Sequence, residues 1–291
     1  MKAVVVDGNQ CRVDYEHMMP QLHDYHVLVK PVAVALNPTD WRHLRYGRAK
    51  NGCIVGCDYA GVVEFVGRGV TKAWSPGDRI FGCAHGANLA NPDDGVFAEF
   101  AAVVGDLQMR IPDEMDFTDA ATLGLGSITV GQGLFQKALK LDLPALTIMK
   151  KEIPVLIYGG GTATGALAIQ YARHLGADFA VDYHDADAGA QIREYTNNNL
   201  FHAWDTVSVP QSAQICADAL STQKHQTPIY GTVLPIGSPR ADVETVSTVM
   251  YTVFGKEFKF GPVVVPASKE DLEFGKTFSA LTEALVAGDL L

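Results

Sequence analysis

Hydrophobic positions in the second half of this chain fall in short apolar runs that alternate with segments of helical spacing. The apolar runs predict four strands, at residues 155–158, 179–183, 203–208 and 230–234. The other segments predict three helices, at residues 162–174, 189–195 and 212–220. Strands and helices that alternate in this way are typical of a parallel sheet with helices on both faces. This half is therefore predicted to be of the α/β class.

The first half has a different pattern, in which strands follow one another with turns between them. Strands are predicted at residues 1–7, 27–36, 59–67, 78–82 and 95–103. Short strands at this spacing, separated by Pro, Gly, Asn and Asp, indicate a barrel-like module. The pattern next predicts helices at 118–123 and 127–139, and a connector at 141–152. Near the end it predicts a strand at 263–266 and an amphipathic helix at 268–290.

Three consecutive glycines separate the predicted strand at 155–158 from the helix that follows it. Gly159, Gly161 and a small residue at position 164 or 165 loosely match the pattern G-x-G-x-x-G. A strand, a glycine turn and a helix present backbone N–H groups at a helix N-terminus, where they bind phosphate. The stretch therefore predicts a dinucleotide site. The alternative is a tight turn without a ligand, although a plain turn rarely needs three glycines in succession.

Composition narrows the classes of function. The chain has 291 residues, of which 47% are hydrophobic and 19% charged, and its formal net charge is −10. It is not expected to bind nucleic acid, since nucleic-acid-binding faces are basic. No apolar run approaches the roughly 20 residues of a membrane span, and the N-terminus lacks a signal-peptide pattern. The five scattered cysteines favour reduced thiols. We expect a cytoplasmic protein with no membrane partner.

Six stretches, taken in their order, resemble one superfamily. They are Asn37-Pro38-Thr39-Asp40-Trp41-Arg42-His43 and the residues at 55–63, 76–80, 95–99, 157–165 and 252–256. This set resembles the medium-chain dehydrogenases/reductases, and the chain is most similar to the fungal trans-acting enoyl reductases, which serve polyketide synthases whose own reductase domain is silent. The resemblance implies an α/β fold with a GroES-like β-barrel module and a Rossmann-type doubly wound parallel sheet. It implies a GroES-like catalytic domain over 1–145, a Rossmann-like NADP-binding domain over 146–250, and a return segment to the catalytic domain over 251–291.

The same resemblance bears on metal binding. Zinc alcohol dehydrogenases of this superfamily carry Cys-x-x-Asp and Gly-His-Glu where this chain has Asn37-Pro38-Thr39-Asp40 and Gly56-Cys57-Asp58. A catalytic zinc needs three protein ligands and an open position. Only Cys57 and Asp58 remain as candidate ligands, so no metal is predicted. This favours conjugate reduction, in which hydrogen bonds alone can stabilise the charge on a carbonyl.

The resemblance also implies the reaction and the residues that carry it. NADPH would deliver hydride to the β-carbon of an α,β-unsaturated thioester on the acyl carrier domain of a polyketide synthase. The proton for the α-carbon would come from water or from a side chain that the sequence does not identify. Cofactor contacts are expected from Pro38, Thr39, Asp40, Trp41, Thr162, Ala163, Thr164, Gly165, Tyr183, Leu234 and Pro235. Substrate contacts are expected from Gly124, Leu125, Gly126, Ser127, Ile128, Thr129, Val130, Gly131, Thr252, Val253, Phe254, Gly255 and Lys256.

Several of these positions have a plainer interpretation. The Pro38-Thr39-Asp40 stretch is also typical of a turn in which Asp40 bonds its own backbone. Leu234-Pro235 is also typical of the end of a strand, and Tyr183 would suit a hydrophobic core. Asp182 lies where an NAD-selecting acid is expected, but in the family pattern an Asp before the tyrosine need not touch the ribose. Lys256 and Lys259 form either a solvated edge or a docking patch for an acidic carrier protein.

Two departures from the family pattern bear on activity. In the family a second strand and helix follow the glycine-turn helix, whereas here Arg173-His174 leads directly into Leu175-Gly176-Ala177-Asp178. A βα unit of roughly twenty residues, which normally holds the contacts that select NADP over NAD, is therefore expected to be missing. The family pattern also continues with further helix and strand beyond Leu291, so the C-terminal end is expected to be lacking. We expect an enoyl reductase that is a monomer or a homodimer. The alternatives are a quinone or enone reductase of the same superfamily and a catalytically inactive relative that binds a synthase.

Overall fold

The structure is a computed structural model that describes residues 1–144, 153–173 and 179–291. Its strands are β1 Ala3–Asp7, β2 Gln10–Asp14, β3 His26–Ala35, β4 Asp58–Val66, β5 Arg79–Cys83, β6 Ala101–Val104, β7 Met109–Arg110, β8 Val155–Tyr158, β9 His202–Asp205, β10 Ile229–Thr232, β11 Glu244–Ser247, β12 Phe258–Phe260 and β13 Val263–Val265. Its α-helices are α1 Pro38–Arg45, α2 Phe117–Ala120, α3 Gly124–Val130, α4 Ala163–Arg173, α5 Ala188–Tyr195, α6 Pro210–Ala219 and α7 Lys269–Ala287. The fold divides into two compact units, Met1–Leu125 with Tyr251–Asp289, and Gly126–Met250 with Leu290–Leu291.

The first unit is built on a five-stranded antiparallel sheet with the strand order β6-β3-β4-β5-β7. One face of the sheet is apolar and packs inward, where Val27, Val29 and Tyr59 are fully buried. Helix α7 packs on the same unit. Ser268 caps its N-terminus by accepting the Asp271 N–H at 3.1 Å, and Ser279 Oγ donates to the Leu107 carbonyl at 3.0 Å.

The second unit contains a parallel sheet with the order β11-β10-β9-β8. Its core forms where Tyr230 of β10 packs with Cys216 and Leu220 from the α6 region. Within the described part of the chain, β8 is at the edge of the sheet and pairs with β9 alone. The backbone groups on the free side of β8 therefore have no strand partner among the described residues.

The predicted fold class is confirmed, but two predicted strands are wrong. Residues 179–183 form no strand, because Phe179 instead stacks on the Tyr195 ring at 4.0 Å between centroids. Most of residues 95–103 is irregular, because their N–H groups bond several different segments. The Val96 N–H donates to Gly56 and that of Glu99 to Lys2, so a regular ladder begins only with β6.

Other differences concern element ends and short strands. The helix predicted at 127–139 begins earlier, with α3, and continues as a π-helical segment, Gly131–Gln136. The sequence pattern missed β2, β7, β11 and β12, which are too short or too exposed to show apolar alternation. The predicted connector falls largely on residues 145–152 and the Leu175-Gly176-Ala177-Asp178 motif on 174–178, and both of these segments lie outside the described residues. Among the helices that are described, none is long and apolar enough to cross a membrane.

Candidate functional site

Three glycines in and just after the turn that follows β8 have distinct structural roles. Gly159 has a φ of +84°, a conformation that L side chains rarely adopt, and its carbonyl accepts the Thr162 N–H at 2.8 Å. Gly165 packs so closely on the Gly159 carbonyl that a Cβ at position 165 would overlap it. Gly161 is exposed, and a Cβ there would meet nothing within 4 Å. The turn therefore matches the three glycine functions of a dinucleotide fingerprint, namely tight turn, open approach and close packing.

The structure of this turn fits a pyrophosphate held by backbone amides. Thr206 Oγ donates to the Tyr158 carbonyl at 2.8 Å, so Thr162 Oγ donates to Thr206 Oγ at 3.0 Å and accepts the Gly165 N–H at 2.9 Å. The Thr162 side chain is thus engaged in holding the turn to β9. The surface available to an anion consists of backbone around Gly161 and the first turn of α4, where N–H groups lack helical partners.

Tyr183 lies beside the end of β8. Its side chain is 51% exposed, and its ring centroid is 6.1 Å from that of Tyr158, the residue before the glycine turn. It is therefore not a core tyrosine. The neighbouring Asp182 accepts from the backbone N–H and the Nδ1 of His184, at 3.0 and 2.8 Å, which lowers its pKa.

A buried hydrogen-bond cluster shapes the loop after β9, and the sequence analysis did not predict it. Asp205 Oδ2 accepts from Ser212 Oγ at 2.5 Å and from Tyr230 OH at 2.6 Å, while its Oδ1 accepts from the N–H of Ser208 at 2.8 Å. Ser208 Oγ in turn accepts the Val233 N–H at 3.1 Å. The cluster thereby anchors the segment that leads from β10 to the predicted site residues Leu234 and Pro235. These loops lie at the carboxyl ends of parallel strands, the edge at which α/β sheets bind ligands. An Asp at a strand end followed by Ser was the available signal.

In the first unit, α1 begins with a buried carboxylate. Asp40 Oδ2 accepts the Asn37 N–H at 2.7 Å, so Asp40 does bond the local backbone, but as the third residue of helix α1 and not in an ordinary turn. Asp40 is 6% exposed, and its Oδ1 has no hydrogen-bond partner among the described residues. Burial raises the pKa of Asp40 to about 6. Pro38, at the first position of the helix, and Trp41 remain exposed.

Asp58, at the start of β4, is a second buried carboxylate. Its Oδ2 accepts from Asn37 Nδ2 at 2.8 Å and its Oδ1 from the Leu125 N–H at 2.5 Å. Burial outweighs these hydrogen bonds and raises the pKa of Asp58 to about 7. The adjacent Cys57 is also buried, which raises the pKa of its thiol well above the usual range.

This donor set does not fit a zinc centre. The two Asp58 oxygens already accept hydrogen bonds, and Cys57 is held as a neutral thiol 3.5 Å from the Tyr251 hydroxyl. In the part of the chain that the structure describes, no three His, Cys, Asp or Glu side chains are grouped so that they could hold a metal ion. No step of a reaction is therefore assigned to a metal.

Thr39 lies at the centre of a hydrogen-bonded chain of side chains. Its hydroxyl is 2.6 Å from the Tyr251 hydroxyl and 3.1 Å from His43 Nδ1. His43 Nδ1 is also 2.8 Å from the Thr39 carbonyl, which can only accept, so we assign the proton to Nδ1. Burial lowers the pKa of His43 and keeps its ring neutral. The Tyr251 ring is stacked on His85 at 3.9 Å, which fixes the direction of its hydroxyl.

A cavity of about 400 Å³ is lined in part by Tyr251. Its lining includes Tyr251, Phe254, Phe258, His85, Asp94 and Lys256. Two of these, Phe254 and Lys256, belong to the predicted substrate stretch. In the same stretch Val253 is fully buried against α7, Thr252 is buried, and Gly255 has a φ of +68°. Lys256 is also hydrogen-bonded to Tyr25 through its Nζ.

The other predicted substrate stretch coincides with α3 and the residue after it. Ile128 and Val130 are fully buried, and Leu125 and Thr129 are half-buried. The Ser127 hydroxyl is buried and has no hydrogen-bond partner among the described residues. A Cβ at Gly124 would collide with the Gly82 carbonyl, which explains the glycine there. The sequence missed Tyr251 and His85 because neither belongs to a motif.

Comparisons with known proteins agree with this arrangement. Residues 23–113 match the family model of the alcohol dehydrogenase GroES-like domain. The chain is 40% identical to the trans-enoyl reductase resD of Aspergillus sclerotiorum over 320 residues, covering 98% of this chain and 88% of resD. It is 41% identical to the trans-enoyl reductase TOXD of Cochliobolus carbonum, covering 95% of this chain and 98% of that protein.

Solved structures agree on the fold. An alcohol dehydrogenase superfamily protein from Novosphingobium aromaticivorans has a TM-score of 0.77 at 23% identity, covering 100% of this chain and 88% of its own. The Escherichia coli quinone oxidoreductase, solved in complex with NADPH, has a TM-score of 0.70 at 15% identity, covering 100% of this chain and 89% of its own. Together with the identity to resD and TOXD along almost its whole length, these likenesses show that the chain belongs to the trans-enoyl reductases of the medium-chain dehydrogenase/reductase superfamily.

Proposed function

We propose that this protein is an NADPH-dependent trans-acting enoyl reductase, which reduces an α,β-unsaturated acyl thioester on the acyl carrier domain of a polyketide synthase without a metal ion. The observation that carries the proposal is the 40% identity to a trans-enoyl reductase over 98% of this chain. The hydrogen-bonded Asn37–Asp58 pair supports the metal-free part, since it engages a carboxylate that a metal would need.

The glycine turn supports a dinucleotide cofactor. The backbone around Gly161, together with Thr162–Gly165, would bind the pyrophosphate, and Tyr183 would contact the adenosine. Leu234, Pro235 and the Pro38–Trp41 stretch would contact the nicotinamide. When bound, NADPH supplies the hydride for the β-carbon of the substrate.

The remaining tasks fall to side chains of the first unit. The hydrogen bonds of Thr39 to Tyr251 and His43 hold its hydroxyl in one place, where it can orient a polar group of a ligand. The cavity beside Tyr251, with Phe254 and Phe258 on its wall, would accept an apolar part of the substrate. Neutral His43 and His85 add no charge to this region.

One observation favours a second function. Among the described residues, β8 has no strand partner on its outer side, and β8 supports the glycine turn that would bind NADPH. The second function is therefore that of a relative that binds a synthase without catalysing reduction. Such a relative would not bind NADPH tightly, because the glycine turn depends on a well-supported β8.

Three measurements test the proposal. Titration with NADPH, followed by its fluorescence, should show saturable binding, and an enoyl pantetheine thioester should be reduced faster than a quinone. Dialysis against EDTA should leave turnover unchanged. Absence of NADPH binding would favour the inactive relative, and preference for the quinone would contradict the thioester substrate.

A further inference from the structure

The region around helix α1 is positively charged, although the chain as a whole is acidic. Between Asp40 and Asp58 the sequence holds Arg42, Arg45, Arg48 and Lys50 and no acidic residue, although the whole chain has a net charge of −10. We call these four side chains the α1 cationic patch. Its only flanking carboxylates, Asp40 and Asp58, are buried.

The fold turns these charges outward. Helix α1 buries His43 and Leu44 together with Asp40. Arg45 and Lys50 are exposed, and Arg42 and Arg48 are half-buried. Arg42 and Arg45 are three residues apart on a helix and therefore neighbours on its surface.

None of the four cations has an ion pair with any residue that the structure describes. Several other surface cations of the same unit are paired, namely Lys2 with Glu99 at 3.9 Å, Arg68 with Asp24 at 3.4 Å, and Arg110 with Asp78 at 3.0 Å. The charge of the α1 cationic patch is thus not neutralised by ion pairs with described residues, and its field extends about 8–10 Å at physiological ionic strength.

Aromatic side chains hold two of the guanidinium groups in place. Arg48 lies 4.4 Å above the Phe260 ring of β12, and Arg42 lies 5.4 Å from the Trp41 ring. Such stacking engages the face of a guanidinium and leaves its edge N–H donors free for carboxylate or phosphate. Trp41 and Tyr46, both exposed, add apolar area of the kind that is enriched at protein interfaces.

We propose that the α1 cationic patch is the docking surface for the acidic carrier domain that presents the acyl thioester, an inference that rests on the proposed function. A carrier domain supplies surface carboxylates and the phosphodiester of its pantetheine arm, both of which pair with arginine forks. Charge complementarity of this kind steers association and fixes orientation. The plainer alternative is a solvated helix face that contacts nothing.

The test compares two double variants with the same change in charge. Arg45→Glu/Lys50→Glu reverses two exposed charges of the patch. Lys30→Glu/Lys269→Glu reverses two exposed charges outside it, one in β3 and one at the start of α7. Melting curves establish that both variants are folded.

Affinity for the isolated holo-carrier domain is measured by fluorescence anisotropy at two salt concentrations. We expect Kd to rise at least tenfold in the patch variant and less than twofold in the control, with a weaker salt dependence in the patch variant. Equal effects in both variants, no effect in either, or no binding to the unaltered protein would overturn the proposal. If the carrier binds as expected but the enoyl pantetheine thioester is not reduced, the proposed function fails and the docking surface stands.

Discussion

Asn37 Nδ2 donates a hydrogen bond of 2.8 Å to Asp58 Oδ2 and so joins the start of α1 to the start of β4. Asn37→Ala would leave a buried carboxylate with one donor fewer. Such a loss costs about 1–3 kcal/mol of the free energy of unfolding, which urea denaturation would measure. Asn51→Ala is the control, because it removes an exposed hydrogen bond to the Gly8 N–H and should cost no more than about 0.5 kcal/mol. Equal losses in the two variants would contradict a special role for the buried pair.

Asp40 predicts a dependence of stability on pH. Its pKa is about 6 in the folded chain against an ordinary 3.8, so the folded state binds the proton more tightly than the unfolded state does. Its contribution to stability is therefore largest below pH 4, decreases as the pH rises, and levels off above pH 6. The pKa difference corresponds to about 3 kcal/mol. Asp58 and Asp94, with pKa values raised by burial to about 7 and about 6, act in the same direction.

Asp40→Asn keeps the acceptor for the Asn37 N–H and removes the ionisable group. We expect the free energy of unfolding, measured by urea denaturation between pH 4 and pH 7, to fall less steeply with pH in this variant. Parallel profiles for the variant and the unaltered chain would show that Asp40 does not titrate in this range.

The sequence predicted the glycine turn because its signal is local, consisting of an apolar run, three glycines and a helix. It left open which residue is the third glycine of the motif, since the choice of Gly165 depends on contact with the Gly159 carbonyl. The sequence analysis considered Cys57 only as the remnant of a metal site. It could not predict the contact of Cys57 with Tyr251, because the two residues are 194 positions apart in sequence. The strand predicted at 179–183 failed for a related reason: an apolar run cannot reveal whether it pairs with a strand or packs on a helix such as α5.

Two glycines of the turn should separate binding from folding. Gly161→Ala places a methyl group in open space on the surface where phosphate would approach, so the melting temperature should hold while the Kd for NADPH rises about tenfold, or about 1.4 kcal/mol. Gly165→Ala forces a methyl group against the Gly159 carbonyl, so it should lower both the melting temperature and NADPH affinity. Fluorescence titration and thermal melts distinguish the two. If Gly161→Ala leaves affinity unchanged, the pyrophosphate does not bind at this backbone.

The pair of Thr39 and Tyr251 can be tested as a unit, because their hydroxyls are 2.6 Å apart and the residues lie far apart in sequence. Thr39→Val leaves the buried Tyr251 hydroxyl without this partner, and Tyr251→Phe removes that hydroxyl. Each change should cost about 1–3 kcal/mol of stability. The stability loss of the double variant should be smaller than the sum of the two single losses, with a coupling of at least about 0.5 kcal/mol.

If Thr39 orients a bound ligand, kcat/KM should fall in Thr39→Val. It should fall less steeply in Tyr251→Phe, because the Thr39 hydroxyl remains there and still accepts from His43. Additive stability losses would mean that the two hydroxyls do not interact, and a larger loss of kcat/KM in Tyr251→Phe would move the ligand contact from Thr39 to Tyr251.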